Sequence, residues 1–280
     1  MSADATIAQA LAEARARGVA MLDARLMLGR LLGRTPTQLI AGDDQRLGGE
    51  AAARWADWLT RRARGEPLAY LLGEKEFHGL LLEVSADVLV PRPETELLVD
   101  WAAELLDSAR RATVLDLGTG SGAIALAVKQ AHRAATVTAV DASPAALAIA
   151  RRNARRLALA VDFVEGSWWQ GLDGRSFALV LANPPYVRDG DPALAALRHE
   201  PRMALAAGED GLAALREIVS QAPAHLEPGG WLLLEHGYDQ AGAVRALLGA
   251  AGLEVIETRA DLAGHPRATG GRRPAASSAR

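Results

Sequence analysis

Two short stretches hold residue types that can do chemistry at a useful spacing. The first is Asp116-Leu117-Gly118-Thr119-Gly120-Ser121-Gly122. Its glycines let the backbone turn sharply and approach a ligand with no Cβ in the way. Asp116 is suited to hold a charged group such as an amino group. Asp141 follows Gly120 by 21 positions and ends the next apolar run. An acidic residue at about that distance suits paired ribose hydroxyls. The second stretch is Asn183-Pro184-Pro185-Tyr186, after Val180-Leu181-Ala182. An asparagine carbonyl accepts a hydrogen bond from an NH2 group. Proline has no N–H to donate, so the Pro184 carbonyl is a second acceptor. The Tyr186 ring offers a face to a planar group. Two acceptors on one NH2 orient its nitrogen lone pair, which is catalysis by positioning and electrostatics. Together the stretches point to methyl transfer from S-adenosylmethionine to a nitrogen. A sulfonium makes its methyl electrophilic without a metal.

Other readings stand beside this one. A dinucleotide loop would read G-x-G-x-x-G, and here Ala123 occupies its third small position; Asp116, however, would repel a pyrophosphate. Asn-Pro and Pro-Pro also mark ordinary turns. Arg92 and Glu94 read as an ion pair or as the border of an active-site mouth. Arg151, Arg152, Arg155 and Arg156 read as a solvated helix face, or as a ribosomal-RNA contact. Trp55 and Trp58 have helix-core spacing. Trp168 and Trp169 are adjacent and point differently, so one is free to stack on an adenine. Glu235-His236 reads as structural. The 6 histidines lack metal spacing such as H-E-x-x-H, and no metal is expected.

These residues need a scaffold. From residue 5 to about 64, Leu11, Ala14, Met21, Leu22, Leu26, Leu28, Leu31 and Leu32 recur at helical steps. Gly18, Gly33 with Thr35-Pro36, and Gly48-Gly49 punctuate them into a small bundle. Leu80, Leu82 and Val84 alternate as in a strand or hairpin. Beyond Arg111, strands are expected at 113–117, 135–140, 161–165, 177–182, 230–235 and 253–258. Helices include 121–131, 143–157, 210–226 and 239–250, with Ser143-Pro144 as a helix start. This alternation implies an α/β fold with a mostly parallel, doubly wound sheet. Both chemical stretches fall at strand carboxyl ends, where such sheets bind ligands. The expected domains are 1–75 (helical), 76–90 (a hairpin linker), 91–269 (the sheet domain) and 270–280 (a disordered tail).

The 280 residues suffice for one large or two modest domains. The absence of cysteine excludes disulfides, thiolate metal sites and a cysteine nucleophile, and fits a cytoplasmic location. Neither a signal peptide nor a transmembrane run is expected. A net charge of −3 argues against a duplex-DNA substrate.

The chain resembles the peptide chain release factor glutamine methyltransferases of the PrmC/HemK type. The resemblance rests on Pro91-Arg92-Pro93-Glu94-Thr95-Glu96, Leu115 to Leu126, Asn183-Pro184-Pro185-Tyr186 and Leu233-Leu234-Glu235-His236-Gly237, and spans about residues 10 to 268. It implies a Rossmann-like methyltransferase domain joined by a β-hairpin to an N-terminal helical domain that recognises the substrate. It implies methylation of the side-chain amide nitrogen of the glutamine in the Gly-Gly-Gln motif of class 1 release factors, with S-adenosylhomocysteine as product. The alternative activity is adenine-N6 methylation of nucleic acid, for which no basic target-recognition domain is visible; a third is a non-enzymatic adaptor. By position, Gly118, Thr119, Gly120, Ser121, Gly122, Asp141 and Trp168 would hold the donor, Trp168 near its adenine. Asn183 would touch donor and glutamine, with Pro184, Pro185 and Tyr186 framing the glutamine. Two departures stand out. Ser167 replaces an acidic residue common in the family, and Arg267-Ala268-Thr269-Gly270-Gly271-Arg272 replaces its usual last strand, which implies a short or frayed end.

Overall fold

The computed structural model describes residues 5–106 and 111–275. The chain divides into two compact units, Met1–Glu74 and Lys75–Arg280. Among the described residues no helix is long and apolar enough to cross a membrane.

The first unit is helical: α1 (Ile7–Ala16), α2 (Met21–Leu32), α3 (Pro36–Ala41), α4 (Gly49–Ala63) and α5 (Leu68–Leu72). Thr6 and Thr35 each start a helix with a capping box, in which the threonine accepts from the N3 backbone and a glutamine reaches back. Ile7, Met27, Leu28, Leu39, Trp55 and Leu59 form the core, and Trp58 joins them. The expected stripe on α2 is partly misplaced. Leu28 is buried as expected, but Leu22 and Leu26 are 68% and 42% exposed, while Ala24 and Met27 face inward. This helix is apolar on most sides, so periodicity alone does not choose its inner face.

The second unit begins with a hairpin, β1 (Glu74–Phe77) and β2 (Leu80–Glu83). Its Phe77, Leu80 and Leu82 are buried with Leu98, Trp101 and Leu126. The remaining elements are α6 (Glu96–Leu105), β3 (Thr113–Leu117), α7 (Ala123–Ala131), β4 (Thr136–Asp141), α8 (Pro144–Leu157), β5 (Asp162–Glu165), β6 (Phe177–Ala182), α9 (Ala193–Ala196), α10 (Ala213–His225), β7 (Leu226–Glu235), α11 (Ala241–Ala250), β8 (Glu254–Ala260) and β9 (Pro266–Arg272). Here α6 adds to the helices expected from the pattern. As expected, Ser143 caps α8 through its side chain, with Pro144 at the first turn.

The seven strands run β5-β4-β3-β6-β7-β9-β8. The first five are parallel, and β9 pairs antiparallel with β7 and β8. This is the α/β, Rossmann-like methyltransferase fold expected from the sequence.

The chain end differs from expectation. Residues 270–272 belong to β9, paired with both β7 and β8, so the last strand is not frayed and no tail begins at 270; residues 276–280 lie outside the described residues. Composition misled because the glycines here serve packing. A Cβ on Gly270 would stand 2.5 Å from Leu233 and 2.9 Å from Trp101. Only a bare backbone can lie against that indole.

Arg151, Arg152, Arg155 and Arg156 of α8 are exposed, as a solvated face requires, and three of them also have partners. Arg152 pairs with Glu83, Arg156 donates to the Leu81 carbonyl, and Arg151 donates to Phe163 O. Beside them, buried Asn153 accepts from Glu83 N at 2.7 Å and donates to Glu83 O (3.0 Å) and Ser121 O (2.9 Å). Three of the four arginines thus fasten neighbouring strands.

Candidate active site

In the strand order, the chain moves outward from β3 in one direction through β4 and β5, and in the other through β6 and β7. The switch point therefore lies between β3 and β6, where doubly wound sheets bind ligands. Register pairs Leu117 with Ala182, so the glycine loop and the Asn183 turn leave the sheet side by side.

The glycine loop is shaped by the buried Asp116. Its Oδ2 accepts from Thr119 Oγ1 at 2.6 Å and from Ala125 N at 3.2 Å, while Oδ1 has no partner among the described residues. Burial pushes this carboxyl up to about 7, with the Asp141 charge adding to the rise and the two hydrogen bonds opposing it. Asp116 does not line the cleft. Instead of holding a ligand's amino group, it ties the loop to the first turn of α7. Gly118 N and Thr119 N both donate to Val140 O at 2.9 Å, fixing the loop against β4.

Asp141 ends β4. Its Oδ2 accepts from Gly120 N at 2.8 Å and its Oδ1 from Ser143 N at 2.9 Å. Burial raises its pKa, and these backbone bonds hold the rise down. Both oxygens keep lone pairs for further donors.

A cleft lies along these loops. Gly118, Gly120, Asp141, Ser143, Gly166, Ser167, Trp168, Asn183 and Pro185 line it, and its other walls include Asp87, Val88, Leu89, Pro201, Met203 and Ala204. Trp168 has a left-handed backbone at φ 48°, a strained conformation for an aromatic residue. Its ring lies against Gly118, where a Cβ would stand 3.3 Å from Cζ3. Its neighbour Trp169 is buried, donates to Ile218 O at 3.2 Å and stacks on His225 at 4.6 Å. Of the two tryptophans, only Trp168 faces the cleft.

Not every expected site residue lines the cleft. Thr119 and Ser121 are buried behind it, the first bonded to Asp116 and the second to Asn153. Gly122 packs against Leu126 and Ala150. Pro184 and Tyr186 are also absent from the wall. Tyr186 Oη donates instead to Glu235 Oε1 at 3.2 Å, and its carbonyl accepts from Gln240 Nε2 at 3.1 Å.

Asn183 Nδ2 donates to Thr95 Oγ1 at 3.0 Å. Thr95 lies in the Pro91–Glu96 block and is itself buried. The Glu235 carboxylate, at the end of β7, accepts from Tyr186 Oη through its Oε1. Burial pushes Glu235 up to about 7 against that bond. Glu235 therefore has a place beside the site that the structural reading of Glu235-His236 did not foresee. His236 keeps a structural role: Nε2 meets Thr269 Oγ1 at 2.7 Å and Nδ1 meets Gly237 O at 2.8 Å, joining β7 to β9. Arg92 pairs not with Glu94 but with Glu200, whose Oε2 accepts from Val90 N at 3.0 Å. Such a contact across 108 residues leaves no periodic signal in the sequence.

Known proteins match this arrangement. Residues 94–240 match the Methyltransferase small domain, and residues 5–73 the PrmC N-terminal domain. A release factor glutamine methyltransferase from Burkholderia pseudomallei is 51% identical over 269 residues, covering 93% of this chain and 94% of the relative. Among solved structures, a Pyrococcus furiosus methyltransferase aligns with TM-score 0.56 and 19% identity, covering 80% of this chain and 99% of that one. The Thermus thermophilus 16S rRNA N2 G1207 methyltransferase, solved with AdoMet and guanosine, aligns with TM-score 0.53 and 20% identity over 71% of this chain and 49% of that one. At such identity over nearly its whole length, the chain belongs to the release factor glutamine methyltransferase family.

Proposed function

We propose that the protein transfers a methyl group from S-adenosylmethionine to the side-chain amide nitrogen (N5) of the glutamine in the Gly-Gly-Gln motif of class 1 release factors, in the cytoplasm. The observation that carries this reading is one cleft walled on one side by Gly118, Gly120, Asp141 and Trp168 and on the other by Asn183 and Pro185. The first set suits the donor. Gly118 leaves room beside the Trp168 ring for a flat group, and Asp141 has acceptor capacity for paired hydroxyls. When bound there, the donor supplies an electrophilic methyl.

The second set suits the acceptor. Asn183 Nδ2 is engaged by Thr95, which leaves Oδ1 to accept from the glutamine NH2. The Pro184 carbonyl is the second acceptor in this reading. An amide nitrogen is a poor nucleophile because its lone pair is delocalised. Two oxygens drawing on its hydrogens favour a pyramidal nitrogen, and that interaction grows toward the transition state. Tyr186, held by Glu235, frames the turn. The helical domain, residues 1–75, is assigned recognition of the release factor.

Labelled-methyl transfer tests this assignment with three acceptors: a release factor, its Gln→Ala variant, and duplex DNA. Label is expected on the release factor alone. Label on DNA instead would replace the assignment with adenine-N6 chemistry.

A further inference from the structure

Two walls of the cleft come from distant parts of the sequence. Val88 and Leu89 lie just before the Pro91–Glu96 block, while Pro201, Met203 and Ala204 lie in the long connection between β6 and α10. A wall built from two loops needs something to fix the distance between them, because loops with few buried contacts open locally at little cost.

The ends of the β6–α10 connection are closed by backbone bonds. Val187 N donates to Leu205 O at 2.9 Å, Ala207 N to Val187 O at 2.9 Å, and Asp189 N to Gly208 O at 2.8 Å. Among the described residues from 188 to 204, Glu200 alone is buried. The short helix α9 buries no side chain. The anchor of this loop is thus a carboxylate and not an apolar side chain. The Glu200 side chain is 2% exposed. Its Oε2 accepts from Val90 N at 3.0 Å, and its Oε1 accepts from Arg92 Nη2. Val90 directly follows the lining residues Val88 and Leu89, and Pro201 directly follows Glu200. The anchor therefore joins the two walls at their edges. The Pro91–Glu96 block is tied again to the chain after β6 where Thr95 Oγ1 accepts from Asn183 Nδ2 at 3.0 Å.

An apolar anchor tolerates sliding. A carboxylate held by a main-chain N–H and a guanidinium does not, because such bonds are directional and strong. The anchor is also close to all-or-none. A buried carboxylate that loses its cation is strongly disfavoured in the interior. The loop relieves that cost by carrying Glu200 into water. It then has two states: closed with Glu200 paired, and open with Glu200 solvated.

We propose that Glu200 and Arg92 form a clasp that closes the Pro201–Ala204 wall over the methyl donor, which makes them positioning residues for donor retention. Neither lines the cleft. Glu200 acts through Pro201 and Met203, and Arg92 through Val88 and Leu89. This inference rests on the donor reading of the cleft given above. Closure limits loss of the donor before transfer, and opening lets S-adenosylhomocysteine leave. Asn183 keeps its Thr95 bond in both states, so the clasp governs binding and release and not the transfer step.

The test uses the full-length protein and follows S-adenosylhomocysteine by stopped-flow tryptophan fluorescence, with calorimetry for affinity. Arg92→Met leaves the buried carboxylate without its cation, Glu200→Gln removes its charge, and Arg92→Lys restores a cation. Arg202→Ala is the control, since Arg202 lies on the same loop in an exposed pair with Asp189. Arg92→Met and Glu200→Gln are each expected to raise the dissociation rate about tenfold and to weaken affinity to match, because the closed fraction falls. Single-turnover transfer to a release factor at saturating donor and acceptor should stay within about threefold of wild type. Arg92→Lys and Arg202→Ala should stay within about threefold of wild type in dissociation as well. A folded Arg92→Met that releases S-adenosylhomocysteine at the wild-type rate overturns the inference. Should Arg92→Met not fold, Glu200→Gln decides by the same criterion. An equal rise in Arg202→Ala overturns it too, since any damage to the loop would then suffice. So does a loss of transfer rate with unchanged dissociation. A further readout needs no ligand: amide exchange at Val90 N, which Glu200 covers in the wild type, should quicken in Arg92→Met, and unchanged exchange overturns the clasp. Failure of the wild type to bind S-adenosylhomocysteine would sink the donor reading of the cleft and this inference with it. Binding by the wild type with equal dissociation in all variants would sink the inference alone.

Discussion

The two loops that leave β3 and β6 side by side are built by opposite means. The Gly118–Gly122 loop is a backbone construction. Its shape comes from glycines, from two N–H groups on Val140 O, and from a buried carboxylate tied to Thr119 and Ala125. The Asn183–Tyr186 turn is a side-chain construction. Its prolines fix the backbone, while Thr95, Glu235 and Gln240 hold its polar groups. A backbone cradle binds a ligand by shape and is perturbed by anything that moves it. A side-chain network aims a single atom and is perturbed by one lost bond. Damage to the first loop should appear in donor binding, and damage to the second in rate.

The largest expected effect falls on the second loop. Asn183→Ala should lower single-turnover methylation by roughly 10²–10³, the range for loss of one preorganised polar partner. Donor affinity should change by less than about threefold, and the fold should persist on its prolines. A rate loss below threefold would reduce Asn183 to a turn residue. Next comes Asp141→Ala, which removes a charged acceptor and frees Gly120 N and Ser143 N. Charge-assisted bonds contribute about 1.5–3 kcal/mol each, so calorimetric donor affinity should fall at least about tenfold. Affinity equal to wild type would break the comparison on its donor side.

Asn153→Ala sharpens the contrast from outside both loops. It strips partners from Glu83 N, Glu83 O and Ser121 O, which joins the hairpin to the glycine loop. Chemical denaturation should show a loss of about 2–3 kcal/mol. Donor affinity should weaken, yet the rate at saturating donor should stay within about threefold. A rate loss with unchanged affinity would contradict the division of labour.

The smallest effect concerns pH. Asp116 and Glu235 are both pushed up to about 7 by burial, above the usual carboxylate range near 4. The folded state holds these protons more tightly than the unfolded chain does. Their stabilising contribution is therefore complete below about pH 4 and is lost as pH rises toward about 7. Asp116→Asn removes one such slope, so its stability gain over wild type should be larger at pH 8 than at pH 5, by on the order of 1 kcal/mol or more in urea midpoints. Glu235→Gln should show the same gain. The two should part in turnover: Asp116→Asn keeps the rate at saturating donor within about threefold, whereas Glu235→Gln does not. Equal loss in both would erase the difference between the loops.

The sequence by itself determined the local parts. Apolar periodicity and caps gave the helices of the first unit and the β-α alternation of the second, because those signals lie within a few residues of one another. The glycine loop, Asp141 and the Asn183 turn were legible for the same reason, each being a short run at a strand end. What only the tertiary structure decided depends on residues far apart in the chain. The glycine-rich segment 267–272 has the composition of a tail, and becomes a paired strand because Trp101 and Leu233 demand bare backbone against them. Leu22 and Leu26 fit a helix stripe, yet the packing of α2 leaves them exposed and turns Ala24 and Met27 inward beside Leu28. Trp168 and Trp169 are alike in sequence, and only the left-handed backbone at Trp168 sends one to the cleft and the other to the core. The partner of Asn183 could not be read at all, since Thr95 stands 88 positions away and meets it only in the folded chain.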